Sequence, residues 1–361
     1  KKIKVGYFSA DFHDHATMHL MIKMLELHDQ NKFEILAFSF GPELKDDAFQ
    51  NRVRACVHSF YDVSKKSDLD ISNLARELEL DIGVDLKGHT TDCRPKIFAH
   101  GVAPIQISYL GFPGTLGDKN LDYIIGDKFV TPLEDKAFFT EEIIQMPHSY
   151  QVNDSTKMIS RKKVSRIDEG LPKTGFVFSC FNNNYKIGPE EFDVWCRILK
   201  RVPESVLWLF ESNHFASANL KKEAKKRGVS SSRLVFASRK PVSEHLARHK
   251  LADLTLDTFY YNAHTTGSDS LWSGVPIVTK IGKSFPARVG ASLLSAVGLE
   301  ELITHSNESY EDLAVELAKN TKKLAKIRAD LTKNRAKKPL FNTKKFTQDL
   351  EKCYISVLKN R

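Results

Sequence analysis

The feature that most constrains this chain is a repeated alternation of short apolar runs with helix-period segments, begun at Ile3, lost near Ser149 and restarted at Phe176. In the first half the apolar runs are Ile3–Phe8, Phe33–Phe40, Val57–Tyr61, Ile82–Leu86, Ile105–Leu110, Tyr123–Gly126 and Ile143–Met146. Helix patterns lie between several of them, at Met18–His28, Asp46–Ala55 and Leu69–Leu80. Strands separated by helices of this length read as βαβ units and a parallel sheet. The second half repeats the plan. Its strands are expected at Phe176–Phe181, Ser205–Phe210, Arg233–Phe236, Leu254–Asp257 and Pro276–Lys280. Its helices are expected at Pro189–Arg201, Ala216–Arg227, Val242–Lys250, Ser268–Ser273 and Ala287–Val297, with three more beginning at Tyr310, Lys322 and Lys344. Pro189 in a first turn and Gly228 after a last one are the start and stop signals such helices carry.

The fold class expected is therefore α/β, with two doubly wound, Rossmann-like domains facing across a cleft. The boundaries read as 1–150 for the first lobe, 151–175 for a polar, basic connection, 176–341 for the second lobe and 342–361 for a C-terminal helix. Ligands of such folds bind outside the carboxyl ends of the strands. With 361 residues and 41% hydrophobic content, each lobe has material for a core. No apolar stretch approaches the roughly 18 residues of a membrane span. The N-terminus is no secretory signal, and without an initiator Met the chain reads as a piece of something longer. Five cysteines without a C-x-x-C pair argue against a disulfide framework or a cysteine zinc site, and fit the cytoplasm.

The net charge of +9 raises nucleic acid as a partner. Eleven Lys or Arg residues lie between Lys319 and Lys345 against one acid, Asp330, and a second cluster is Lys221, Lys222, Lys225, Lys226 and Arg227. Both fall on helix-like sequence, where the default is a solvated face, and no aromatics alternate with them as a single-strand platform requires. Nucleic-acid binding is therefore disfavoured, and an anionic small ligand serves as well.

Four stretches carry chemistry. The first runs from Leu254 to Pro276: a strand ends at Asp257, a loop carries His264, and a helix opens near Thr266, with Asp269 three residues on in a near capping-box arrangement. Free amides at such a helix start, with the hydroxyls of Thr265 and Thr266, make an anion site beside His264; a well-capped helix after an ordinary loop fits equally. The second is Cys180-Phe-Asn-Asn-Asn-Tyr-Lys-Ile-Gly-Pro, where Lys186 supplies a compact positive charge suited to a phosphate leaving group. Alone, it is a surface lysine in an Asn-rich turn. In the third, His245 and Arg248 stand three apart on one side of a helix. The fourth places His13, His15 and His19 after the first strand, but H-A-T-M-H lacks the Glu of a zinc helix and no third ligand is evident. No metal site is expected there; a histidine acting on an acceptor hydroxyl fits the position better. Glycine-rich turns follow at Asp85-Leu-Lys-Gly-His-Thr and along Ser108-Tyr-Leu-Gly-Phe-Pro-Gly-Thr-Leu-Gly, suited to close backbone approach or simply to tight turns. The absence of G-x-G-x-x-G, of a P-loop and of G-x-S-x-G turns the reading away from dehydrogenases, NTPases and hydrolases.

In these stretches the chain resembles the catalytic region of the O-GlcNAc transferase and SPINDLY family of glycosyltransferases. The match runs in order through VGYFSADFHDHATMHL, DLKGHT, APIQISYLGFPGTLG, DYIIGD, MPH, CFNNNYKI, RVPESVLWL, HLARHKLADLTLDT, NAHTTGSDSLWSGVP and PLFNTKKF. The resemblance implies a GT-B fold with an acceptor-side first lobe and a nucleotide-sugar-binding second lobe. It implies an inverting, metal-independent transfer of a sugar from a nucleotide donor to Ser or Thr hydroxyls of proteins, without a cofactor. By position Lys186 matches the lysine on the donor diphosphate. Asn183, His245, Arg248, His264, Thr265, Thr266 and Asp269 match donor-site positions, Asp269 facing the ribose and His264 the phosphates or sugar. His15 matches a histidine assigned either as base or to positioning donor and acceptor, and Asp81 lies near another suggested position for the base. The A-H-T-T-G-S-D run follows the GlcNAc-transferring pattern, so UDP-GlcNAc is the expected donor, although D-L-K-G-H-T also looks like the SPINDLY side. The animal insertion between the lobes is missing, and tetratricopeptide repeats are expected upstream of Lys1 in the full-length protein. The alternatives are a SPINDLY-like O-fucosyltransferase using GDP-fucose and a non-catalytic module.

Overall fold

The computed structural model describes residues 1–360, in two compact units: residues 1–156 together with 339–360, and residues 157–338. The first unit holds β1 (Ile3–Ser9), β2 (Phe33–Ser39), β3 (Ser59–Asp62), β4 (Ile82–Asp85), β5 (Ile105–Ser108), β6 (Tyr123–Asp127) and β7 (Glu142–Met146). They form one parallel sheet in the order β3-β2-β1-β4-β5-β6-β7. The second unit holds β8 (Val177–Cys180), β9 (Val206–Phe210), β10 (Leu234–Ala237), β11 (Leu254–Leu256), β12 (Ile277–Lys280) and β13 (Ile303–Thr304), in the order β10-β9-β8-β11-β12-β13. Every pairing there is parallel as well. Helices cover these sheets, so the central strands β4, β5, β8 and β11 are buried along their whole length, polar members such as Gln106 and Thr255 included.

Local chemistry sets the helix limits. Pro189–Arg201 opens on Pro189 with Glu190 and Glu191 in its first turn and closes on Lys200 and Arg201, complementing its own dipole at both ends. Val289–Val297 is almost entirely buried and stops at Gly298, which takes the left-handed conformation at φ 71°.

Two boundaries differ from those expected. The C-terminal helix, Thr343–Lys359, belongs to the first unit: Leu350 and Tyr354 are fully buried in the same core as Met18, Leu25 and Phe33. Its polar seams are a Tyr354–Tyr7 hydroxyl contact at 3.1 Å and a His28–Glu351 pair at 3.0 Å. Residues 151–175 are likewise no free connection. Val152 and Asp154 are buried in the first unit, Glu169 and Leu171 in the second. The segment lacks period because its residues are anchored one at a time, as when Thr343 Oγ1 donates to the Asn153 carbonyl at 2.6 Å. No helix among the described residues is long and apolar enough to cross a membrane.

Candidate functional site

Strand order reverses beside β1 and β4 in the first sheet and beside β8 and β11 in the second. At such switch points the connecting loops leave to opposite sides and open a crevice at the carboxyl edge. In the second unit the loop after β8 carries Lys186, and the loop after β11 carries His264 and the helix Thr265–Trp272. Two of the sequence-predicted stretches are thus neighbours through the sheet. The third, Val242–Arg248, follows the outer strand β10.

The Lys186 ammonium donates to the Asn262 carbonyl at 3.1 Å and sits 4.1 Å from the centre of the Tyr261 ring. Burial lowers its pKa to about 8. His264 stacks on Tyr261 at 4.7 Å, and its Nε2 lies 3.3 Å from the Pro286 carbonyl. A carbonyl only accepts, so neutral His264 carries its proton on Nε2 and presents Nδ1 as an acceptor. Burial, reinforced by the Lys186 charge, holds this imidazole well below its ordinary pKa, so it is neutral at pH 7.

The helix Thr265–Trp272 begins one residue before Thr266 and three before the expected Ser268, and no capping box forms. His264 is its N-cap and makes no side-chain cap bond, which leaves first-turn amides for another acceptor. Thr266 lies inside the helix and donates its hydroxyl to Asn182, whose Nδ2 donates to Thr258 at 2.8 Å. The buried asparagine of the Asn-rich turn is therefore Asn182. Asn183 is exposed, and it is its backbone carbonyl, not its side chain, that accepts the Lys186 amide at 3.0 Å in the short turn Asn184–Lys186.

His245 and Arg248 form one buried network. Arg248 is 0% exposed; it donates from Nη2 to His245 Nδ1 at 2.8 Å and from Nη1 to the Ser238 carbonyl at 2.8 Å, and pairs with Glu169 at 3.4 Å. Its guanidinium lies 5.4 Å from the Phe181 ring. With Nδ1 accepting, neutral His245 carries its proton on Nε2, which faces His249 Nε2 at 3.2 Å. Burial, then the neighbouring Arg248 charge, brings the His245 pKa down to about 4, against the opposing pull of Asp269. Asp269 itself is engaged by Lys157 at 2.7 Å.

Asp257 escaped the sequence reading because a strand-end aspartate has no motif of its own. Its Oδ1 accepts the amides of Thr258 at 2.9 Å and Ala263 at 2.6 Å, closing the loop that supports Lys186, while Oδ2 accepts from Thr279 at 2.6 Å. It is 0% exposed, and desolvation raises its pKa from 3.8 to about 7. The folded state thus holds a proton that the unfolded state has lost. The associated stability is present below about pH 4 and drains away as pH rises to about 7, on the order of a few kcal/mol. Asn at this position keeps the two amide bonds to Oδ1 and reverses the third, its Nδ2 donating to the Thr279 hydroxyl, so Asp257→Asn is expected to flatten the pH dependence of the melting temperature across that window. A variant curve parallel to the wild-type one would remove Asp257 as its source.

In the first unit His15 caps the helix Ala16–Leu27, its Nδ1 accepting the Thr17 amide at 3.2 Å. The neutral ring therefore presents Nε2–H as a donor. Asp11 lies 3.4 Å from Nδ1 and is itself held through both carboxylate oxygens by buried Lys87 at 2.9 Å. Asp81 opens β4 at the amino edge, where it accepts the Lys4 amide at 2.8 Å, the far end of the sheet from His15. His19 pairs with Asp14 at 2.7 Å, and among the described residues no group of three or more His, Cys, Asp or Glu is placed to hold a metal. The glycine-rich loop uses its freedom within the protein: a Cβ on Gly111 would stand 2.0 Å from the Leu86 carbonyl oxygen.

The profile of glycosyl transferase family 41 matches residues 1–169 and 163–350. A probable UDP-N-acetylglucosamine–peptide N-acetylglucosaminyltransferase, SEC, of Arabidopsis thaliana is 37% identical over 99% of this chain and 37% of its own length. A SPINDLY protein of Petunia hybrida, named as probably of the same activity, is 31% identical over 99% of this chain and 39% of its own. The chain thus spans well under half the length of these curated relatives. An O-GlcNAc transferase variant from Thermobaculum terrenum superposes with a TM-score of 0.92 at 29% identity, covering 100% of this chain and 68% of that one. The expected GT-B fold is the fold observed.

Proposed function

Because the chain belongs to glycosyl transferase family 41, we propose that it transfers GlcNAc from UDP-GlcNAc, with inversion, to Ser or Thr hydroxyls of proteins. The observation that carries the reading is the pairing, at the switch point of the second sheet, of a partly buried ammonium with an uncapped helix start. In the transfer the acceptor oxygen bonds to the anomeric carbon as the bond to the diphosphate breaks, and the departing electron pair stays on the diphosphate. Lys186 and the amides at Thr265 and Thr266 meet that charge without a metal or cofactor. Asn183, His245, Arg248 and Asp269 are assigned to donor binding, Asp269 at the ribose. Since Nδ1 of His264 accepts, His264 is assigned to a sugar hydroxyl rather than to a phosphate oxygen. His15 is assigned to positioning, because the nitrogen left open on its neutral ring is a donor and not a base.

UDP-GlcNAc is preferred over GDP-fucose on the A-H-T-T-G-S-D run. Unpaired cysteines at all five positions suit a reducing compartment, and a cytoplasmic location is proposed on that ground. Acceptor choice is assigned to tetratricopeptide repeats elsewhere in the full-length protein. Calorimetric titration with UDP and GDP, without metal and then with magnesium, tests the reading. UDP binding that is indifferent to magnesium and lost in His264→Ala is expected. A preference for GDP moves the assignment to fucosyl transfer, and binding of neither nucleotide sinks it.

A further inference from the structure

Lys157 lies in the polar stretch 151–175, and the structure buries its side chain in the second unit. Its ammonium meets Asp269 Oδ1 at 2.7 Å, with only 7% of the lysine side chain and 11% of the aspartate side chain exposed. Its carbonyl accepts the Trp272 indole N–H at 3.3 Å. Asp269 and Trp272 stand three apart on the helix Thr265–Trp272, so one helix face grips Lys157 by both its head and its backbone. We propose that Lys157 is the residue that sets nucleotide selectivity at the sugar: by occupying Oδ1 it fixes the Asp269 carboxylate in one rotation and leaves Oδ2 as the acceptor for a ribose hydroxyl. This rests on the assignment of Asp269 to the ribose.

The physical basis is preorganisation. An aspartate carboxylate rotates readily about its terminal torsion, and a carboxylate pinned by an ammonium at hydrogen-bond distance loses that freedom before the ligand arrives. A hydroxyl donated to a fixed, charged acceptor in a water-poor site contributes more to affinity than one donated to a carboxylate that must first be ordered. Lys157 is thus a positioning residue, one step removed from the ligand.

The test is calorimetric titration of wild type, Lys157→Met, Lys157→Arg and Asp269→Asn with UDP and with 2′,3′-dideoxy-UDP, read as the ratio of the two dissociation constants. Wild type should prefer UDP about tenfold or more, the discrimination expected of a hydrogen bond to a charged group. Lys157→Met should bring that ratio to within about threefold of one while leaving affinity for the dideoxy nucleotide unchanged, and Lys157→Arg should restore part of the preference. A merely structural lysine would weaken both nucleotides together, and that result, or an unchanged ratio in Lys157→Met, overturns the proposal. If Lys157→Met does not fold, Lys157→Leu, which likewise removes the donor, takes its place with the same expected fall. An unchanged ratio in Asp269→Asn instead removes the ribose assignment itself, and failure of wild type to bind UDP removes the proposed function; both take this inference with them.

Discussion

Replacing Lys186 by alanine should lower the rate of sugar transfer by about 10²–10³, the usual consequence of deleting one preorganised donor from a developing negative charge. The fold should survive, because the lysine contributes one bond to a loop carbonyl and one ring contact, while the loop itself is closed by Asp257. Circular dichroism and a near-native melting temperature would verify this. The charge state of Lys186 adds a second signature. Burial holds its pKa at about 8, and only the ammonium can stabilise the leaving diphosphate. As pH rises through about 8 the free enzyme loses that charge, so kcat/KM should fall on the alkaline side near this value. Lys186→Arg, whose guanidinium stays protonated, should push the alkaline limb out of range whatever its effect on the maximum. Near-normal turnover in folded Lys186→Ala would take the residue out of the mechanism.

Arg248→Met should cost about 3–5 kcal/mol of stability, the range seen when one partner of a buried ion pair is deleted. The guanidinium is 0% exposed and serves Glu169, the Ser238 carbonyl and His245 Nδ1 at once. Methionine fills part of the volume but leaves all three acceptors short of a donor in the interior. Lys240 still reaches Glu169, which places the expected loss toward the lower end of the range. Lysine at 248 should not rescue, because a point charge cannot address three acceptors in one plane as the guanidinium fork does. Chemical denaturation reads the stability. UDP titration of the variant, stabilised by low temperature, reads the second effect: with His245 freed from its anchor, nucleotide affinity should fall as well. A loss below about 1 kcal/mol would mean that the network around Glu169 closes without the arginine.

The accuracy of the strand expectations has a physical origin. In a parallel sheet covered by helices, each central strand is buried on both faces and is therefore rich in apolar residues, so short runs such as Ile82–Asp85 and Val177–Cys180 stand out without any partner in view. The two-residue strand Ile303–Thr304 went unseen because its pairing to Thr279 and Lys280, not its own pattern, makes it a strand. The candidate site was legible where it coincided with motif, as at Lys186 and the His264–Asp269 run. It was illegible where a residue acts through position alone: Asp257, Asn182, Glu169 and Lys157 sit in loops, in a single helical turn or at strand ends, with no period to mark them.

What the sequence by itself determined is the class of fold, two parallel α/β sheets, and the short stretches that meet at the carboxyl edge of the second. Hydrophobic periodicity and turn chemistry are local, so they can be read locally. Only the tertiary structure decided which groups are buried together, and thereby their protonation and hydrogen-bond direction. The tautomers of His245 and His264, the raised pKa of Asp257, the lowered pKa of Lys186 and the pairing of Lys157 with Asp269 all arise from side chains brought together across the fold. Desolvation and charge proximity depend on distances that residue order alone does not specify.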